Sequence, residues 1–237
     1  MKKLLLILTL LATLLPVFAN GYGVYDRNNY TYRQDPEEKT LFILDFSNSM
    51  TEYLDGQSKV NMMVETVRNL LPSINKNSLV GLRVYGHKMG FTPFEACRAS
   101  NLIVPIGRID TALMENALNK VHPRGMTPIT FSLKQAIKYD FAGFSGKKHI
   151  ILLTDGGENC DESPCKYVME LVRFRKDVTI DVIAFNISDE DDLDQLKCTS
   201  LVTSGRFYTA NTAAELARSL RNSTNAEKKV EAKIIVK

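Results

Sequence analysis

Short apolar runs alternating with segments of helical spacing constrain this 237-residue chain more than any other feature. Thr40-Leu41-Phe42-Ile43-Leu44-Asp45 is unbroken in its apolar stretch and stops on a carboxylate. A strand buried on both faces has that pattern. Val60, Met63, Val64, Val67, Leu70 and Leu71 then recur at helical intervals. Strand character returns over 79–86, 101–106, 148–154, 179–185 and 206–209, and the spacing predicts helices over 111–121, from Thr127-Pro128 onward, over 165–176 and in two segments after that. Thr127-Pro128 and Ser163-Pro164 each pair a capping hydroxyl with a proline suited to the first helical position. Ser188 with Asp191, and Thr212 with Glu215, have capping-box spacing. Strands that alternate with helices imply a mainly parallel sheet covered on both faces. Such sheets bind ligands beyond the carboxyl ends of their strands, which is where Asp45 and Asp155 fall.

The first 19 residues read as a secretory leader: Lys2-Lys3, an apolar run from Leu4 to Leu15 broken only by Thr9 and Thr13, and modest residues up to Ala19, the expected cleavage point. Counted to Ala19 the run is 16 residues, short of the roughly 18 to 20 that span a bilayer. Residues 20–38 read as a polar extension, 39–221 as one domain and 222–237 as a basic tail, within which Val230 to Val236 alternates like a short strand. The expectation is a secreted or periplasmic protein with no stable membrane span after cleavage. Removing Lys2 and Lys3 takes the formal net charge from +3 to +1, which leaves no electrostatic footprint for nucleic acid.

Cys97, Cys160, Cys165 and Cys198 form an even set, and in an oxidising compartment two disulfides are the natural outcome. Adjacent helices would bring Cys165 to Cys198 and leave Cys97 for Cys160. A local Cys160 to Cys165 bridge is the alternative. Zinc is the rival reading, but no C-x-x-C occurs, and His87, His122 and His149 are scattered.

The chemistry concentrates in three segments. Asp45-Phe46-Ser47-Asn48-Ser49 places a carboxylate and two hydroxyls at alternate positions, so a tight loop after the strand can aim all three at one point. Thr127 comes from a second loop, and Asp155 heads Asp155-Gly156-Gly157 in a third, where glycines are expected to let the backbone turn away. All five residues offer hard oxygen ligands. Such ligands suit Mg²⁺, with Mn²⁺ or Ca²⁺ as possible substitutes. Few carboxylates and many hydroxyls would leave the metal electrophilic, with a position open to an acidic group from elsewhere.

These segments resemble the von Willebrand factor A family, whose metal-ion-dependent adhesion site has the pattern Asp-x-Ser-x-Ser, then Thr, then Asp. The stretches Leu82-Arg83-Val84-Tyr85-Gly86-His87, Pro123-Arg124-Gly125-Met126-Thr127-Pro128 and Thr154-Asp155-Gly156-Gly157-Glu158-Asn159-Cys160 are similar to secreted bacterial members. The resemblance spans about residues 39–221. It implies a three-layer, Rossmann-like α/β fold with a six-stranded sheet in the order 3-2-1-4-5-6, strand 3 antiparallel. It also implies that Ser47, Ser49 and Thr127 supply hydroxyl ligands, that Asp45 and Asp155 act directly or through water, and that an Asp or Glu of a partner protein completes the coordination. The family includes structural and enzyme-associated members, so a scaffolding module or an accessory subunit of a metal-dependent enzyme is the alternative.

Catalysis by the chain itself is not expected. Gly143-Phe144-Ser145-Gly146 is followed by Lys147 and so misses G-x-S-x-G, position 47 is Ser where a phosphoryl-transferring pair would carry a second Asp, and no phosphate-binding glycine loop is present. Asp189, Glu190, Asp191, Asp192 and Asp194 lack calcium-loop spacing and instead suit the first turn of a helix.

Overall fold

A computed structural model describes residues 37–224. The leader with its cleavage point, the extension up to residue 36 and the tail from residue 225, including the alternating stretch 230–236, lie outside the described residues.

Six strands form one sheet: β1 (Glu38–Asp45), β2 (Leu79–Tyr85), β3 (Ser100–Arg108), β4 (Lys147–Thr154), β5 (Val178–Phe185) and β6 (Phe207–Ala210). Their order is β3-β2-β1-β4-β5-β6, and every neighbouring pair is parallel except β2 with β3. The helices are α1 (Lys59–Leu70), α2 (Pro93–Ala96), α3 (Thr111–Leu118), α4 (Ile129–Gln135), α5 (Pro164–Leu171), α6 (Glu190–Val202) and α7 (Ala213–Thr224). This is the expected three-layer α/β architecture.

Strand alternation builds the layers. Phe42, Leu44, Ile151, Leu153, Ile183 and Phe185 face a core shared with Met63 and Val67 of α1, Met114 of α3 and Leu216 of α7. Leu41, Ile43, Ile150, Leu152, Ile180 and Val182 face the opposite core, with Leu133 of α4, Val168 of α5 and Leu196 of α6. A one-residue slip of β1 would exchange its two faces between cores of different shape, so its register with β2 and β4 is strongly specified. Each such fully buried side chain stabilises the fold by about 1.5 to 3 kcal/mol.

Several local expectations need correction. Ser188 does not open α6: Asp189 is its N-cap, its carboxylate accepting from the Asp192 N–H at 3.0 Å. Helix α5 begins at Pro164, with Ser163 as its cap, but ends at Leu171 rather than near 176. Beyond it the chain tightens into turns, the Arg173 and Phe174 N–H groups reaching back three residues to Glu170 and Leu171, and the Arg175 guanidinium binds Asp177 at 2.9 and 3.0 Å. The polar stretch between β2 and β3 contains the short helix α2, capped by Thr92. A small hairpin, Tyr53–Leu54 against Gln57–Ser58, precedes α1 and had no periodic signal to announce it. Thr212 and Glu215 do cap α7 as their spacing predicts: the Glu215 N–H reaches Thr212 Oγ1 at 3.2 Å, and Glu215 in turn accepts from the Asn211 N–H at 2.7 Å.

The disulfides are Cys97–Cys160 and Cys165–Cys198. The first ties the end of α2 to the loop after β4, and the second ties α5 to α6. The local Cys160 to Cys165 alternative is thereby excluded, and all four thiols are used, leaving a zinc site no thiolates.

Candidate metal centre

Three loops meet at the carboxyl end of the sheet, and backbone hydrogen bonds lace them together. The Gly86 carbonyl, just past β2, accepts from the Arg124 and Gly125 N–H groups at 3.0 and 2.7 Å, and the Asn48 N–H donates to the Gly125 carbonyl at 2.9 Å. Gly86 sits at φ +70°, and a Cβ there would lie 2.5 Å from the Ser47 nitrogen and 2.7 Å from the Met126 carbonyl oxygen. Only glycine lets these segments approach so closely. The backbone bends at Asp155-Gly156 without a positive φ at either glycine. A Cβ at Gly157 would displace the Asp192 carboxylate, which accepts from the Gly157 N–H at 3.0 Å.

The structure joins Asp45, Ser47, Ser49 and Asp155 in one hydrogen-bonded chain. The Ser47 N–H donates to Asp45 Oδ1 at 2.6 Å, the Ser47 and Ser49 hydroxyls lie 3.0 Å apart, and Ser49 Oγ donates to Asp155 Oδ1 at 2.7 Å. Because the single Ser49 proton is committed to Asp155, Ser47 donates to Ser49. Both hydroxyl oxygens retain lone pairs.

Thr127 lies in the second loop, two residues beyond the Gly125 carbonyl that accepts from Asn48. It was expected to cap α4, but Pro128 occupies the cap and no side chain of that segment closes the helix. The reason lies in the loop after β4. Asn159 Oδ1 accepts from the Thr127 N–H, and Glu158 Oε2 accepts from the Thr130 N–H in the first turn of α4, each at 2.7 Å. Capping is thus supplied in trans, and the Thr127 hydroxyl makes no hydrogen bond among the described residues.

Asp45 is fully buried, and its Oδ2 accepts from the Tyr85 hydroxyl at 3.0 Å. The Thr154 hydroxyl lies 2.8 Å from the same oxygen and 2.7 Å from the Gly156 carbonyl, so its one proton serves one of them at a time. Burial, followed by repulsion from Asp155, pushes the Asp45 carboxyl up to about 6. Asp155 is also raised, again by burial first, against the pull of Ser49 and Lys59. Burial and the Asp45 charge hold the Tyr85 phenol well above its usual range, so it remains a donor.

Lys59, at the start of α1, was not singled out by the sequence. It is 5% exposed, and its Nζ donates to Asp155 Oδ2 at 3.1 Å and to Glu52 Oε2 at 2.7 Å. Burial disfavours the ammonium, yet the two carboxylates keep its pKa above the ordinary value. Nothing in a linear pattern marks this lysine, because its partners lie in two other segments. Tyr85, Thr154, Glu158 and Asn159 fall within stretches that carry the family resemblance, but which atoms they hold is visible only in the fold.

Among the described residues no group of three or more His, Cys, Asp or Glu side chains is arranged to hold a metal. A cation at this end of the sheet therefore depends on hydroxyls. The donor chemistry fits a hard divalent ion: two carboxylates, three hydroxyl-bearing residues and no soft ligand.

The family model for the von Willebrand factor type A domain matches residues 41–222. The chain is 25% identical over 193 residues to YwmD, an uncharacterized protein of Bacillus subtilis strain 168, covering 79% of this chain and 85% of that one. Among solved structures it resembles a von Willebrand factor type A protein from Catenulispora acidiphila, with a TM-score of 0.63, 20% identity and coverage of 79% of this chain and 42% of that one. It also resembles proximal thread matrix protein 1 of the mussel byssus, in a structure with a zinc-occupied MIDAS motif, with a TM-score of 0.60, 18% identity and coverage of 79% and 45%. The chain spans less than half the length of these two structures, and at such identities the likeness is one of fold. With the family match extending over residues 41–222 of 237, the chain belongs to the von Willebrand factor type A domain family.

Proposed function

We propose that Asp45, Ser47, Ser49, Thr127 and Asp155 hold a divalent cation, Mg²⁺ in the first instance, and that an Asp or Glu carboxylate of a partner protein completes its coordination. Domains of this family are commonly metal-dependent protein-interaction modules and generally do not catalyse reactions. The observation that carries the reading is the hydrogen-bonded chain from Asp45 through Ser47 and Ser49 to Asp155, two buried carboxylates whose mutual repulsion a cation would relieve. The bound ion would supply a positive charge in a partly dehydrated cleft, to which an acidic side chain is drawn. The protein's part is to orient oxygens and exclude water: Tyr85 and Thr154 position Asp45, and the in-trans capping by Glu158 frees the Thr127 hydroxyl. No helix among the described residues is long and apolar enough to cross a membrane. Two disulfides and the apolar segment that follows Lys2-Lys3 support a secreted or periplasmic location.

Calorimetric titration with Mg²⁺ and Mn²⁺, comparing the wild type with Ser47→Ala/Ser49→Ala, tests the site. Saturable binding in the wild type, lost in the double variant with an unchanged melting curve for the metal-free forms, is expected. Equal binding by both proteins would place the metal elsewhere and overturn the reading.

A further inference from the structure

We propose that an aromatic and cationic track beside this centre is the docking surface for an extended acidic segment of a protein partner. That segment would carry an apolar residue and a second carboxylate next to the acid held at the metal. The proposal rests on the reading just given and adds what the partner must look like.

The track begins in the loop between β2 and β3. Met89, Phe91 and Phe94 are three of the nine large apolar side chains exposed among the described residues, and they lie within six positions of one another. Their loop is pinned. The Phe91 N–H donates to Glu95 Oε2 at 2.8 Å, Thr92 caps α2, and the Cys97–Cys160 bridge fastens the segment to the loop that holds Thr127. At its other end the Lys88 carbonyl packs against Gly125, where a Cβ would come within 2.4 Å. An ordered loop that keeps aromatic rings in water, against the metal loops, is a contact surface lacking its partner.

The Arg98 guanidinium links this patch to a second one. It lies over the Phe94 ring at 3.9 Å from the centroid and near Phe131 at 5.9 Å. Phe131, Lys134, Lys138 and Tyr139 then line a groove of about 430 Å³ that opens beside Arg98. Lys134 is paired with Glu162 at 2.8 Å, whereas Arg98 and Lys138 have no carboxylate partner among the described residues. Lys88 and Arg124, exposed at the metal end, are likewise without ion pairs there. Cations laid over aromatic rings present charge and apolar surface together, which suits an acidic segment containing apolar residues. The groove carries Arg98 and Lys138 beside the Lys134–Glu162 pair and is tied to the metal loops through the α2 segment and the Cys97–Cys160 bridge; its concave shape fits a polypeptide rather than a flat bilayer.

The test is selection of a random peptide library on the full chain in Mg²⁺, followed by affinity measurement of a selected peptide against wild type, Phe91→Ser/Phe94→Ser and Arg98→Ser/Lys138→Ser. Selected peptides are expected to combine the metal-dependent acid with an apolar residue and a second acid. Each double variant is expected to weaken the peptide about tenfold while Mg²⁺ affinity and melting temperature stay unchanged. If chelator abolishes binding but both variants bind as wild type does, the track is idle and this proposal fails while the metal site stands. If the selected peptides bind equally in chelator, the metal-centred reading fails and this one with it. Binding of phosphatidylglycerol vesicles that depends on Phe91 and Phe94, with no apolar preference among the selected peptides, would make the loop a membrane contact and overturn the proposal.

Discussion

Asp45 and Asp181 are both buried in the same sheet, each has three donor groups within reach, and their acidities move in opposite directions. Asp181, on β5, accepts from Ser223 Oγ at 2.7 Å and from the Arg206 N–H at 2.8 Å, and His149 Nε2 lies 3.2 Å from its carboxylate. Burial pushes its carboxyl up, but His149, Ser223 and the backbone together hold it below the ordinary value. Nearby, Asp177 is gripped by Arg175 and Lys148 and held far below the carboxylate range. Asp45 has only neutral donors and a second carboxylate beside it, and is pushed up to about 6. Counting donor groups does not separate the two ends of the sheet; what separates them is that Asp45 faces a second carboxylate whereas Asp177 faces Arg175 and Lys148 and Asp181 faces an imidazole. One end carries its own positive partners, and the other is short of them. That shortfall is what a divalent ion would supply.

The largest test of this contrast is a pair of isosteric substitutions. Asp181→Asn is expected to lower stability by about 3 kcal/mol, because it removes a charged acceptor from a buried network and leaves donors facing an amide. Asp45→Asn is expected to leave metal-free stability at neutral pH unchanged or higher, since Tyr85 and Thr154 can rotate their hydroxyls to accept. Urea denaturation of both variants decides it, and equal losses would erase the distinction between the two ends.

A smaller effect separates them by pH. The Asp45 pKa in the fold lies above its unfolded value, so its contribution favours the folded state below about pH 4 and is lost as pH rises through about 6. The loss in the metal-free protein is about 2 to 3 kcal/mol. Asp181 is depressed, so its contribution has the opposite sign: it is present above the unfolded value and fades as pH falls. Melting curves of wild type and Asp45→Asn from pH 4.5 to 7 should diverge with rising pH, and Mg²⁺ affinity should climb over the same window. Parallel curves would refute the Asp45 assignment.

Among the described residues Lys59 is the one cation ion-paired with a carboxylate of the site, and it would compete with a metal for Asp155. Lys59→Met is expected to raise Mg²⁺ affinity about tenfold, equivalent to about 1.4 kcal/mol, as measured by calorimetry. A fall in affinity would show instead that Lys59 holds Asp155 in position. The smallest change is Tyr85→Phe, which removes one neutral donor from Asp45 and should cost about 1 kcal/mol in thermal stability.

The strand and helix succession was legible because burial on both faces requires unbroken apolar runs such as 41–44 and 150–153, all fully buried. The cap at Thr212 was legible because its partners are three and four residues away. The cap at Thr127 was misread for the converse reason: Glu158 and Asn159, which replace it, are separated from their partners by 28 and 32 positions. Lys59 escaped notice on the same ground, lying 96 positions from Asp155.

The sequence by itself determined the layered α/β class, the placement of Asp45 and Asp155 at strand ends and the clustering of oxygen-bearing side chains in three segments. Each of these follows from local periodicity or from the chemistry of adjacent residues. Only the tertiary structure decided between the disulfide pairings, freed the Thr127 hydroxyl, set Lys59 against Asp155 and gave Asp45 and Asp181 opposite acidities. Those outcomes depend on charges and donors from distant segments meeting where water is excluded, and electrostatic interaction there is governed by separation in space rather than along the chain.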